Sequence, residues 1–139
     1  MKKLSLDDLD YELIKHSHRV FETVDSDWHG VSSALRLQSG QIFTGVVLEA
    51  EVPALTVCAE PFAIEKALPH IKNDPIVSIV ATRFREATDH KVIPPCGRCR
   101  EFITDYAPDA GVIIYDDKDK KLYKIKAMDL LPFKYQAMP

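Results

Sequence analysis

Apolar residues recur along the first 24 positions of the chain at the spacing of an amphipathic helix. The apolar stripe runs from Leu6 through Leu13 to Val24, which is the period of a helix with one buried face. Ser5 stands just before the stripe as a candidate N-cap, and Asp7 then falls in the first turn, where a carboxylate favours the helix dipole. The pattern predicts a helix that starts near Leu6.

Five further segments have the pattern of β-strands. Residues 31–37 and 41–49 flank the turn Gln38-Ser39-Gly40 and predict a hairpin. Residues 75–84 form an apolar run that is typical of a central strand covered on both faces. The segments 111–116 and 121–126 are joined by a connection too short for a crossover helix, so we expect them to pair antiparallel.

Helices are predicted between and after these strands, over residues 58–68, 96–107 and 127–135. The order of elements predicts an α/β fold with three layers, in which a central five-stranded mixed sheet has helices on both faces. The chain contains no repeat, linker or low-complexity segment. We therefore expect residues 1–139 to form a single domain.

Charge and composition argue against nucleic acid and membrane partners. The formal net charge is −3 and basic residues are interleaved with acidic ones, so no positive patch is expected. The absence of a signal-like or membrane-spanning segment predicts a cytoplasmic protein. In that reducing compartment, three cysteines with one C-x-x-C spacing favour a metal or catalytic group over disulfides.

The three cysteines, Cys58, Cys96 and Cys99, each fall at or near a predicted helix start. Helix N-termini favour thiolates, and three thiolates can hold one zinc ion with the fourth position left for water. Glu60 follows Cys58 by two residues and could move protons to and from that water without binding the metal. The combination of C-A-E with P-C-x-x-C is the pattern of zinc deaminases.

Simpler interpretations of these residues stay open at this point. Unpaired cysteines are often small buried apolar side chains, and a C-x-x-C pair can be a redox motif. Glu60 can be an ordinary first-turn charge of a helix.

Several segments resemble the cytidine deaminase family of free-nucleoside zinc deaminases, and especially its blasticidin-S deaminase branch. They are SGQIFTGV, CAE, PCGRCRE and DLLPFKY, and the similarity covers most of the chain. The resemblance implies that Cys58, Cys96 and Cys99 bind zinc and that Glu60 is the proton shuttle. It also implies a homotetramer in which neighbouring subunits complete each active site.

The same resemblance implies four substrate-binding positions. Glu49 matches a glutamate that grips ribose in the family, whereas Val47 stands where the family carries an asparagine and cannot hydrogen-bond a sugar. His29 takes the position of a base-stacking phenylalanine, and Tyr135 that of an aromatic residue in the tail. As alternatives, Glu49 is a solvated strand-end acid, His29 a loop residue without a role, and Tyr135 a packing or interface residue.

The family also carries an arginine after C-A-E that offsets the negative charge of three thiolates on one divalent metal. This chain reads CAEPFA there, and Arg98 and Arg100 beside the second cysteine motif are the substitutes available. Both arginines can equally be ordinary surface charges of a helix.

Pattern and resemblance together predict zinc-dependent hydrolytic deamination of a cytosine-type nucleoside, cytidine or deoxycytidine, with release of ammonia. The altered sugar motif makes an antibiotic nucleoside of the blasticidin-S type the second candidate substrate. The alternative of another class is a zinc-stabilised interaction protein without turnover. The acidic charge balance and the short final hairpin argue against a polynucleotide deaminase.

Overall fold

The structure is a computed structural model that describes residues 1–137. Its helices and strands are, in chain order, α1 (Asp8–Arg19), β1 (Val31–Leu37), β2 (Ile42–Val46), α2 (Ala59–Ala67), β3 (Ile76–Arg83), β4 (Val92–Ile93), α3 (Gly97–Tyr106), β5 (Gly111–Asp116) and β6 (Lys121–Lys126). Short 3-10 turns cover Val20–Glu22, Pro53–Leu55, Asp89–Lys91 and Ala127–Leu130. Within this part of the chain, every helix is too short or too polar to cross a bilayer.

One mixed sheet holds all of these strands. Its order is β2-β1-β3-β5-β6, and neighbours pair antiparallel except for β3 and β5, which are parallel. The last hairpin is antiparallel over its full length, as the short connection predicts. The five predicted strands are therefore confirmed, and β2 ends earlier than predicted because Leu48 pairs with Val57 instead.

Side chains of the central strands alternate between two buried layers. In β1, Leu35 packs with residues of α2 and α3, whereas Ala34 packs with residues of α1. Ile79 and Val80 of β3 divide in the same way. Each fully buried aliphatic side chain contributes roughly 1.5–3 kcal/mol relative to exposure. The predicted three-layer α/β architecture is confirmed.

A short sixth strand, β4, was not predicted. It pairs antiparallel with the end of β3 through Ala81 opposite Ile93 and Thr82 opposite Val92. Two residues are too few to show a period in the sequence. The strand nevertheless positions the site, because the chain runs from it through two prolines directly to Cys96.

Two predicted helix boundaries are wrong. The N-cap of α1 is Asp7 rather than Ser5, because the carboxylates of Asp7 and Asp10 each accept a hydrogen bond from the other's backbone N–H, at 2.9 and 3.0 Å. The predicted tail helix over residues 127–135 is only the 3-10 turn Ala127–Leu130. Leu131 leaves helical geometry with φ −139° and ψ 68°, and Phe133 takes a left-handed φ of 54°, so no helix continues into the tail.

Candidate metal centre and active site

Two helix starts carry the three cysteines. Cys58 is the N-cap residue of α2, Cys96 is the N-cap residue of α3, and Cys99 lies in the first turn of α3. Neither N-cap side chain forms a capping hydrogen bond of normal geometry, so the two sulfur atoms can face a shared partner. The positive ends of two helix dipoles therefore converge on the thiols.

A glycine in β2 lets α2 approach the sheet at this point. A Cβ atom on Gly45 would lie 2.4 Å from the Ala59 carbonyl oxygen and 2.6 Å from the Ala63 backbone nitrogen. Real Cβ contacts are not that short, so only glycine fits. The first turn of α2, which carries Glu60, thus rests directly on the backbone of β2.

The three sulfur atoms form a compact group of metal-binding geometry. Cys58 Sγ lies 3.7 Å from Cys96 Sγ, and the three sulfurs are all within 4.8 Å of one another. A tetrahedral zinc ion with Zn–S bonds of about 2.3 Å separates its sulfur ligands by about 3.8 Å. The three cysteines differ in solvent exposure: Cys96 is exposed, Cys58 is half-buried and Cys99 is buried. The spacing fits a zinc ion that keeps one side open.

Glu60 points its carboxylate into this group. The Cys99 thiol donates to Glu60 Oε2 at 3.2 Å, and the Glu60 residue is only 5% exposed. Burial raises the pKa of Glu60, while hydrogen bonds from its own backbone N–H and from Cys99 oppose the rise. The carboxyl group can therefore hold a proton closer to neutral pH than an exposed glutamate can.

Two of the three thiols, Cys58 and Cys99, resist ionisation when no cation is present. Burial raises the pKa of Cys99 far above its usual range, and the Glu60 carboxylate adds to this; burial also raises the pKa of Cys58. Burial acts in the same direction at Cys96, but hydrogen bonds from the Cys99 backbone and the other two thiols lower its pKa overall. A divalent cation would supply the missing counter-charge, so the donor set fits zinc.

The end of β2 gathers three of the four predicted substrate residues. His29 Nδ1 lies 3.1 Å from the Val47 carbonyl oxygen and 3.5 Å from the Glu49 backbone nitrogen. The buried Val47 side chain and the His29 ring line a cavity of about 320 Å³. Tyr135 stands apart in the tail with a side chain that is 78% exposed. Whether these residues contact a substrate stays a prediction.

The two candidate charge-compensating arginines differ in their surroundings. Arg98 is exposed in the first turn of α3. Arg100 donates through Nε to the Pro95 carbonyl at 2.9 Å and through Nη1 to the Leu130 carbonyl at 3.1 Å. Arg100 therefore stabilises the loop before Cys96 through hydrogen bonds to backbone carbonyls. Compensation of the thiolate charge by either arginine stays a prediction.

Two further residues hold this region, and sequence reasoning did not find one of them, Thr56. The Thr56 hydroxyl donates to Glu49 Oε2 at 3.1 Å, and the Trp28 ring packs on the His29 ring with centroids 4.8 Å apart. Leu48 and Val57 exchange backbone hydrogen bonds, which brings Glu49 back beside Thr56. No motif marks Thr56, because its contact depends on the fold of the connection between β2 and α2.

Comparison with known proteins identifies the relatives of this fold. No family model matches the chain. The chain is 36% identical over 140 residues to blasticidin-S deaminase of Bacillus cereus, covering 97% of this chain and 98% of that protein. It is 28% identical over 107 residues to cytidine deaminase of Halalkalibacterium halodurans, with 77% of each chain covered. The chain belongs to the cytidine deaminase family.

A solved structure supports the same assignment. The crystal structure of cytidine deaminase from Burkholderia pseudomallei superposes with a TM-score of 0.70 at 25% identity, over 90% of this chain and 98% of that one. This family member is therefore an enzyme of the hydrolytic deaminase class with a cytidine deaminase fold. The resemblance inferred from C-A-E and P-C-G-R-C is confirmed.

Proposed function

We propose that the protein is a zinc-dependent hydrolase that replaces the exocyclic amine of a cytosine-type nucleoside with oxygen and releases ammonia. The observation that carries the proposal is the meeting of three sulfurs within 4.8 Å beside the buried Glu60 carboxylate. Cys58, Cys96 and Cys99 would hold the zinc. When bound, zinc lowers the pKa of water and so makes hydroxide available near neutral pH.

Glu60 performs the proton transfers in this proposal. Its carboxylate takes a proton from the attacking water and delivers it to the ring nitrogen next to the carbon that bears the amine. A second proton passes through the same carboxylate to the amine, which leaves as ammonia while the carbon–oxygen bond becomes a carbonyl. Burial favours this role, because it raises the pKa of Glu60 and keeps the carboxyl group able to carry a proton.

An antibiotic nucleoside of the blasticidin-S type is the second candidate substrate. Two observations favour it: the similarity to blasticidin-S deaminase extends over 97% of this chain, and the Val47 side chain, at the end of β2, cannot form a hydrogen bond. Cytidine and deoxycytidine remain the leading substrates because both the deaminase of Halalkalibacterium halodurans and the crystal structure from Burkholderia pseudomallei are named cytidine deaminases.

We further propose a homotetramer whose neighbouring subunits complete each active site. Leu48, Val52 and Leu55 between β2 and α2 are more than half exposed, and the Phe133 and Tyr135 side chains of the tail project into solvent. Exposed apolar groups of this size are costly on a monomer and typical of interfaces. The cytoplasmic location stays a prediction.

The decisive experiment follows ultraviolet absorbance after zinc-loaded protein is mixed in parallel with cytidine, deoxycytidine and blasticidin S. We expect loss of the cytosine absorbance with stoichiometric ammonia, and we expect Glu60→Gln to slow the reaction by at least about 10²-fold. Chelation of zinc should abolish turnover and re-addition should restore it. Zinc bound in full, with no ammonia from any of the three nucleosides, would contradict the deaminase proposal and favour an interaction protein without turnover.

A further inference from the structure

A second cavity, here called the α1 cavity, lies beside the C-terminal end of α1. Its volume is about 490 Å³, which is within the range of small-molecule sites. It shares no lining residue with the cysteine group or with the cavity beside Val47. α1 packs on one face of the sheet, and the helices α2 and α3 pack on the other. The side chains that give the cavity its chemistry are Lys15, His18, Arg19, Glu22, Phe84 and Lys91.

Three of these side chains are cations without an ion-pair partner. Lys15 and Arg19 lie one turn apart on α1, and Lys91 comes from the 3-10 turn before β4. Among residues 1–137, no carboxylate lies within ion-pair distance of any of the three. Glu22 is the one acidic residue that lines the cavity. The cavity therefore carries a net positive charge.

The fold alone does not account for this charge. The helix dipole stabilises a cation in the last turn of a helix, such as Arg19. Lys15 and Arg19 are nevertheless like charges at positions i and i+4, which repel, and Lys91 adds a third like charge from another element. Elsewhere in this acidic chain, Lys3 and Lys124 lie 2.6 and 2.8 Å from carboxylates. A bound anion would supply the counter-charge that the three cations lack.

The pKa of His18 reflects the positive potential at this wall of the cavity. Burial lowers the pKa of His18 and the charge of Lys91 lowers it further, whereas the backbone carbonyls of residues 83, 84 and 86 oppose the shift. His18 Nε2 is buried and has no hydrogen-bond partner in the part of the chain that the structure describes. The protein's own groups thus leave both charge and hydrogen-bonding capacity unsatisfied here.

An aromatic ring forms another wall of the cavity. Phe84 is 37% exposed, and the buried Phe21 ring supports it from the protein interior, with the two centroids 5.3 Å apart. The Phe84 backbone N–H donates to the Gly30 carbonyl at 2.9 Å, which fixes this residue at the end of β3. A ligand that has a planar ring and an anionic group can therefore use two kinds of contact in the same cavity.

We propose that the α1 cavity is a second binding site, for a small organic phosphate whose phosphate group lies among the three cations and whose planar ring packs on Phe84. A phosphate monoester carries about 1.5 to 2 negative charges at neutral pH and has three acceptor oxygens, which suit the lysine and arginine donors. A nucleoside monophosphate has both the monoester and the ring. The ligand is bound without being converted, because the cysteines and Glu60 are not part of this cavity.

Calorimetric titration of the full chain tests the proposal with adenosine 5′-monophosphate (AMP), adenosine, ribose 5-phosphate and inorganic phosphate. We expect AMP to bind at least about 10-fold more tightly than adenosine, which lacks the anionic group. We expect it to bind about 3-fold or more tightly than the two phosphates that lack a ring. Adenosine, ribose 5-phosphate or inorganic phosphate bound as tightly as AMP would overturn the proposal. No step requires turnover, so the outcome is independent of the proposed deaminase function.

Variants then assign the affinity to the α1 cavity. Lys15→Gln combined with Lys91→Gln removes two of the three cations at positions that are not buried, and it should weaken AMP binding at least about 10-fold without changing adenosine binding. Lys72→Gln removes an exposed lysine that does not line the cavity, and it should leave the AMP affinity unchanged. Arg19→Gln provides a second measurement if the double variant folds poorly. An AMP affinity that is unchanged in both cavity variants, or that falls equally in Lys72→Gln, would overturn the proposal.

Discussion

At the scale of single residues, Glu60 is held in a state that costs stability. Burial raises its pKa, so the folded protein binds a proton there more tightly than the unfolded chain does. The free energy of unfolding of the metal-free protein must then fall as pH rises from the ordinary glutamate value through the raised one. We expect metal-free Glu60→Gln to be more stable than metal-free wild type at about pH 7 and equally stable below the ordinary pKa of 4.5.

Urea unfolding in the presence of a chelator at both pH values measures this difference. Glu65→Gln, which changes an exposed carboxylate of the same helix, is the control and should unfold like wild type at both pH values. A Glu60→Gln variant that gains no stability at neutral pH would show that the buried, charged carboxylate does not lower the free energy of unfolding.

At the scale of elements, the contact between β2 and α2 positions the first cysteine. Gly45→Ala would force its Cβ to within 2.4 Å of the Ala59 carbonyl oxygen. Overpacking of this kind costs about 1–3 kcal/mol. We expect Gly45→Ala to unfold at lower urea concentration and, because α2 must move with Cys58, to bind zinc more weakly in competition with a chelator.

Gly97→Ala is the matched control for this change. Gly97 is the first residue of α3 beside Cys96, and a Cβ there would have no atom within 4 Å. This variant should keep its zinc affinity and lose no stability, since alanine is the better helix former. Equal zinc affinity for Gly45→Ala and Gly97→Ala would show that the β2–α2 contact does not position the metal site.

At the scale of the whole molecule, an ion-pair cluster ties the tail to α3, the helix that carries Cys99. Lys134 Nζ lies 2.6 Å from Glu101 Oε2 and 2.9 Å from Asp105 Oδ1, and its side chain is 9% exposed. The preceding residue, Phe133, is fully exposed and has a left-handed backbone conformation. Lys134→Gln should lower the stability of the folded chain and, by freeing the tail, shift the proposed tetramer towards smaller species.

Sedimentation equilibrium over a range of protein concentrations tests this prediction. Wild type is expected to have the mass of four chains of 15.7 kDa each. Lys126→Gln removes a comparable ion pair, with Asp109 at 2.8 Å, at an exposed site on β6, and it should keep the tetramer. A single-chain mass for wild type at every concentration would rule out the tetramer itself.

Much of this fold could be predicted because local chemistry decides it. The ends of β5 and β6 match the predicted segments 111–116 and 121–126, because strand-forming residues stop at the charged turn 117–120 that joins the two strands. The α1 cap was misplaced by two residues, because Ser5 and Asp7 are both good N-caps and only the reciprocal bonds with Asp10 choose between them. The strand β4 could not be predicted, because its pairing with β3 leaves no local signal in the sequence.

The sequence by itself determined the chemistry of the candidate site, since C-A-E and P-C-x-x-C state which side chains are available and put them at helix starts. Tertiary structure alone decided how these groups meet: the 3.7 Å approach of Cys58 to Cys96, the burial of Glu60, and the contact of His29 with Val47. The physical reason is that residue type and local spacing are properties of a continuous segment of the sequence. Distances between residues 18 to 39 positions apart, and the pKa shifts that follow from them, depend on how the layers pack.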